Sequence, residues 1–177
     1  MSFKFKILFL FLLYGAFVNA QSQLEQQELK LNTTLLSFRK TVTREEMDTE
    51  NRNFKKQMHE FLQKEGAFNY TFKHLESVAI LDSPDGKIRI VNWNIEYPDM
   101  SYAYCGFIMI KENKSVRLVA LNDMHDAYEE KPKGTVDFSD WYGALYYKII
   151  PFENGNKTEY LLLGWDGGTT GSNFKIL

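Results

Sequence analysis

Three turn-like segments, "SPDG" at 83–86, "KENKS" at 111–115 and "ENGN" at 153–156, each stand between two runs of strand-forming residues. No helical stretch separates the two runs of any pair, so each pair can only close as an antiparallel hairpin. That excludes a parallel sheet, whose strands need helical crossovers. The first hairpin is "HLESVAILDSPDGKIRIVNWNIEY", in which Pro84 suits an early turn position and Gly86 supplies a positive φ. "YAYCGFIMIKENKSVRLVALND" and "GALYYKIIPFENGNKTEYLLLGWDG" are the second and third. Their closing strands, "IRIVNWN", "VRLVALND" and "EYLLLGWDG", form a weak, unevenly spaced repeat. An antiparallel meander of about six strands is therefore expected over residues 67–177, as an open sheet, part of a barrel or propeller-like blades. "NFKIL" at 173–177 starts a further strand pattern. A sheet ending there would leave an apolar, unpaired edge, so the chain is expected to be a fragment or to pair that edge with something else.

Ahead of the strands, residues 21–66 read as helical. Leu24, Leu31, Leu35, Phe38 and Val42 recur on one helix face. A second helix opens at "TREE", where Thr43 and Glu46 have capping-box spacing. Its stripe is Met47, Phe54, Met58, Phe61 and Leu62, and Gly66 is a suitable stop. The expected class is α+β, a helical pair followed by the meander.

The first twenty residues, "MSFKFKILFLFLLYGAFVNA", have the anatomy of a secretory signal peptide. Lys4 and Lys6 lead an apolar run from Ile7 to Val18, and Val18-Asn19-Ala20 suits cleavage. The run is short of the roughly 20 apolar residues a spanning helix needs, and no later stretch is apolar enough to span, so no transmembrane segment is expected after cleavage. Losing the two signal lysines takes the formal charge from −2 to −4, which gives no electrostatic footprint for nucleic acid. Cys105 is the one cysteine, so no intramolecular disulfide can form. Set in the apolar "YAYCGFIMI", it reads as a small buried hydrophobe.

Candidate chemistry gathers at "LNDMHDAYEE", where His125 lies between Asp123 and Asp126, with Glu129 and Glu130 behind. Imidazole beside carboxylates could bind zinc or run acid–base chemistry. The spacing matches neither HExxH nor an EF-hand loop, and the alternative is a polar connection after a strand. His59 reads as a solvated helix residue. Asp82, Asp85 and Asp166 could offer oxygens to calcium, but no one loop collects enough of them. "GWDGGTTGSN" is read first as a turn, with Asp166 as its one carboxylate. The aromatics, 15% of the chain, are read first as core and cross-strand partners. An exposed strip of them would instead suit a protein or glycan.

The strings "SPDGKIRIVNWN", "WYGALYYKII" and "YLLLGWDG", within residues 71–177, resemble an uncharacterised family of exported proteins from Bacteroidetes bacteria. The resemblance implies a periplasmic, outer-membrane-associated or secreted Gram-negative protein, with strands continuing after GWDG. It supplies no catalytic residues. The expected function is a non-enzymatic binding or assembly module of the cell envelope, without a cofactor. Its partner, protein or glycan, would use an aromatic sheet face or an open strand edge. The alternative is a hydrolase or metal-dependent enzyme using Asp123, His125 and Asp126, with Asp166 brought near by folding.

Overall fold

Thr43 ends an extended segment, and its hydroxyl accepts the Glu46 N–H while donating to the Glu46 carboxylate, so a helix begins at the next residue. In the computed structural model, which describes residues 23–124, 137–168 and 171–176, this is the second of two helices. Helix α1 covers residues 23–38 and α2 covers Arg44–Leu62. The expected signal segment, residues 1–20, lies outside the described residues. Leu24, Leu31, Leu35 and Phe38 are buried as the period requires, and so are Phe54, Met58, Phe61 and Leu62. Val42 is not part of the stripe: α1 ends before it, and its side chain is 74% exposed. Gly66, at φ 85°, serves a short 3-10 turn at Ala67–Asn69 rather than ending α2 itself, which Gln63 caps.

Among the described residues seven antiparallel strands follow, where about six were expected. They are β1 (Ala79–Asp82), β2 (Ile88–Glu96), β3 (Tyr102–Lys111), β4 (Val116–Asn122), β5 (Leu145–Asn154), β6 (Lys157–Gly168) and β7 (Gly171–Ile176). The first four pair in sequence order as one sheet and the last three as another. All three expected turns close their hairpins. The Gly86 N–H bonds the Ser83 carbonyl, the Glu112 N–H bonds the Ser115 carbonyl, and Gly155 adopts φ 62°.

The two sheets stack instead of joining edge to edge, which explains the sequence of β2 and β3. Val91, Trp93 and Ile95 of β2, with Cys105, Phe107 and Met109 of β3, face the helices. Ile90, Tyr104 and Ile108 face the other way, onto Trp141, Ala144, Tyr146 and Ile149. A strand covered on both faces has no need to alternate, hence the continuous runs "IRIVNWNI" and "YAYCGFIMI". Close packing of β5 beside β6 depends on glycine: a Cβ on Gly164 of β6 would lie 2.8 Å from that of Ala144 and 3.1 Å from the Tyr146 ring. Asn92 fixes the stack, accepting the Tyr146 N–H at 2.7 Å beside the bulge between Tyr146 and Lys148.

Two polar ties hold the layers in place. Glu28 of α1 is fully buried; it accepts the backbone N–H groups of Lys73 and His74, both at 2.6 Å, and the Tyr70 hydroxyl at 2.7 Å. Asp85, in the first hairpin turn, accepts the Tyr160 hydroxyl of β6 at 2.7 Å. Partial burial pushes the Asp85 carboxyl up, but hydrogen bonds from Ser83, Tyr160 and the Lys87 N–H outweigh it and bring the pKa down to about 2. A depressed folded pKa gives stability that is present above the unfolded value, roughly 4, and lost as pH falls through the folded one. The melting temperature should therefore decline between about pH 4 and pH 2. Asp85→Asn should lower the neutral-pH value and flatten that decline, and an identical acid limb in the variant would contradict the tie.

Candidate functional site

Asp123 and Asp166, far apart in sequence, meet at one tyrosine. Tyr104 stands on β3 with its ring between the two sheets, beside Trp141 at 6.5 Å. Asp123 follows the last residue of β4, and its Oδ2 accepts the Tyr104 N–H at 2.8 Å. Asp166, on β6, accepts the Tyr104 hydroxyl at 3.1 Å, while the Gly167 N–H donates to that hydroxyl at 2.7 Å. Burial pushes the Tyr104 phenol well above its usual range, and the nearby Asp166 and Asp123 carboxylates push the same way against the Gly167 hydrogen bond. A phenol held neutral in this way is a donor and not a base.

Lys175 of β7 supplies the opposing charge. Its Nζ lies 3.0 Å from Asp166 Oδ2, with the two side chains 10% and 15% exposed. The ammonium also donates to the carbonyls of Tyr142 and Gly143, at 2.8 and 2.6 Å, and sits 3.9 Å from the centre of the Tyr142 ring. Gly143 is needed there: at φ 28° a Cβ would fall 2.5 Å from Asp123 Oδ1. The arrangement is an ionic brace between β3, β6 and β7, in which the protein's own donors take up the Asp166 oxygens.

Of the four residues singled out for chemistry, Asp123 and Asp166 are thus brought together, while His125 and Asp126 lie outside the described residues. Among the described residues no three His, Cys, Asp or Glu side chains gather as a metal site would need. Asp82 is engaged by Arg89 at 2.6 and 2.8 Å, and Asp85 by the turn and Tyr160. His59 is half-buried on α2, its ring 5.7 Å from that of Phe107. Cys105 is buried against Asn51, which donates to its Sγ at 3.2 Å, and burial pushes the thiol up. Such a thiol is not poised as a nucleophile.

The glycine-rich loop differs from expectation. "GWDGG" does not turn; it is strand, and Gly168 pairs with Gly171 of β7. Its glycines make room for rings: a Cβ on Gly167 would lie 2.4 Å from the Trp165 ring and 2.7 Å from that of Tyr102, which meet edge to face at 5.1 Å. Gly167→Ala is expected to cost about 1–3 kcal/mol through overpacking, read by urea denaturation. A loss within error of zero would show that the rings can move aside.

The sequence reading missed Tyr104 and Lys175. The available signal was a single lysine inside the strand pattern "NFKI", which puts a charge on the opposite face from Phe174 and Ile176. Elsewhere, an open groove of about 740 Å³ lies between the end of α2 and the β3–β4 hairpin, floored by Phe68, Met109 and Leu118; no candidate residue lines it. No protein-family model, curated protein or solved structure matches this chain.

Proposed function

We propose that the protein is an exported, non-enzymatic binding or assembly module whose working surface is the outer face of the β5–β7 sheet. One observation carries this reading. Residues paired across the sheet share a face, so Leu163 and Ile176 form one row and Ile150 and Leu161 another, with Phe174 beyond them; Leu145 and Trp165, in the Phe174 row, pack instead against the core between the sheets. Ile150, Leu161 and Leu163 belong to neither hydrophobic core among the described residues, and Phe174 and Ile176 are 73% and 70% exposed. A contiguous apolar sheet face of this kind marks an interaction site.

The surface suits a protein better than a glycan, because Trp93, Trp141, Tyr97, Tyr104 and Tyr146 are all buried and the face is largely aliphatic. Catalysis by Asp123 and Asp166 fits less well, since Lys175 and Tyr104 already engage the Asp166 carboxylate. Export is supported by the signal-peptide pattern of residues 1–20 and by the resemblance to exported Bacteroidetes proteins. Among the described residues, no helix is long and apolar enough to cross a membrane.

The test is site-specific photo-crosslinking in the producing cell, with benzoylphenylalanine at position 174 and, as a control, at the exposed Lys56 of α2. A defined adduct in the envelope fraction from position 174 alone is expected. Equal adducts from both positions, or none from 174, would overturn the reading.

A further inference from the structure

The groove between the end of α2 and the β3–β4 hairpin has the start of β4 as one wall, with Val116 and Leu118 in its lining. The bonding of the hairpin turns the backbone of both residues outward. The Lys111 N–H bonds the Lys87 carbonyl, toward β2, and the Glu112 N–H bonds the Ser115 carbonyl, toward β4. Backbone groups alternate sides along an antiparallel strand. Ile110 and Ile108 therefore bond their register partners Arg117 and Val119, and the N–H and C=O groups of Val116 and Leu118 point away from the sheet. Among the described residues nothing pairs with them. Farther along, the chain itself comes alongside β4, where Asp123 bridges to Trp141, so the open stretch is short.

The groove's surface narrows what would lie against that edge. Its floor of Phe68, Met109 and Leu118 is apolar and on the helix side of the sheet, so a strand added beside β4 would set alternate side chains over it. Its rim is cationic. Lys64, Lys111 and Lys114 are exposed, and none of them has an ion-pair partner among the described residues. The Lys111 ammonium stands 5.8 Å from the centre of the Phe68 ring, at the border of the floor. Of the two rim glutamates, Glu112 is engaged by Arg117 at 3.1 Å, which leaves Glu65 against three lysines.

We infer that this groove takes an acidic peptide in extended conformation, added as a short strand to β4, with an apolar side chain on the floor and carboxylates beside the lysines. Unpaired backbone groups on a strand edge recognise another backbone. Lysines supplied from two sides, the end of α2 and the hairpin, suit negative charge spread along a chain better than a single headgroup. The site lies on the first sheet and does not depend on the outer face of the β5–β7 sheet; a crosslink from position 174 neither supports nor removes it.

An NMR titration of the mature chain, from Gln21, with the end-blocked peptide Glu-Thr-Leu-Thr-Glu tests it. Saturable shifts should centre on the Val116 and Leu118 amides, and their hydrogen exchange should slow as the N–H groups become bonded. The same peptide with glutamine for glutamate should bind about tenfold more weakly. The variant Lys64→Glu/Lys111→Glu/Lys114→Glu should lose the acidic peptide and bind one with lysine for glutamate. All three side chains are exposed, so unchanged amide shifts elsewhere serve as the folding control. No saturable shift at the groove would overturn the proposal, as would equal binding of the acidic, neutral and basic peptides. Decanoate reproducing the peptide's shifts, with exchange at Val116 and Leu118 unchanged, would make the groove a site for an apolar chain and overturn the added strand.

Discussion

Replacing Glu28 with alanine should destabilise the protein by about 3–4 kcal/mol, more than most surface-helix changes by several-fold. The carboxylate is fully buried and accepts three hydrogen bonds, two of them from consecutive backbone N–H groups at residues 73 and 74. Alanine would strand all three donors away from water, each at about 1–3 kcal/mol less whatever water or a shift of α1 restores. Glutamine keeps one acceptor oxygen for the paired N–H groups, and its amide can donate to Tyr70, so Glu28→Gln should lose only about 1–2 kcal/mol. Equilibrium denaturation in guanidinium reads both. If alanine and glutamine cost the same, the N–H cradle is not what holds α1 to the 70–74 segment.

The second large effect concerns the brace between the sheets. Asp166→Asn removes the carboxylate that lies 3.0 Å from the Lys175 ammonium, a side chain only 10% exposed. Breaking one side of a buried ion pair costs about 3–5 kcal/mol, whereas replacing both partners with neutral groups is often close to neutral. Asp166→Asn and Lys175→Met should thus each destabilise by about 3 kcal/mol, and the double variant should recover most of the loss. Simple additivity of the two losses would mean that the charges do not act as a pair. The cycle also bears on function. If the cluster is a brace, the double variant keeps its partner-binding surface, because Phe174 and Ile176 lie on the opposite face of the sheet from Lys175.

Much of the architecture could be read from local chemistry. Hairpin turns are set by a few residues, and Pro84, Gly86 and Gly155 announced theirs. Helix stripes follow a short period, and the Thr43 cap marked the start of α2. What escaped was non-local. Nothing within "WNIEYPDMSYAY" distinguishes a strand covered on one face from one covered on both, so the stacking of two sheets was not visible. "GWDGG" looked like a turn because glycine permits turns, yet these glycines answer to rings at positions 102, 146 and 165. The convergence of Asp123 and Asp166 depended on Tyr104, which sequence reading treated as one aromatic among many. Lys175 was hidden for the same reason: its burial comes from the Tyr142–Gly143 carbonyls, a contact that no local pattern encodes.

The outer face of the β5–β7 sheet should be covered when the protein is at work. Hydroxyl-radical footprinting in intact cells, compared with the dilute purified chain, reads that coverage residue by residue. Phe152, Phe174 and Ile176 should be modified readily in dilute solution and strongly protected in the cell, while exposed Leu29 and Leu36 of α1 react alike in both. Equal modification of the outer-face residues in both settings would contradict it.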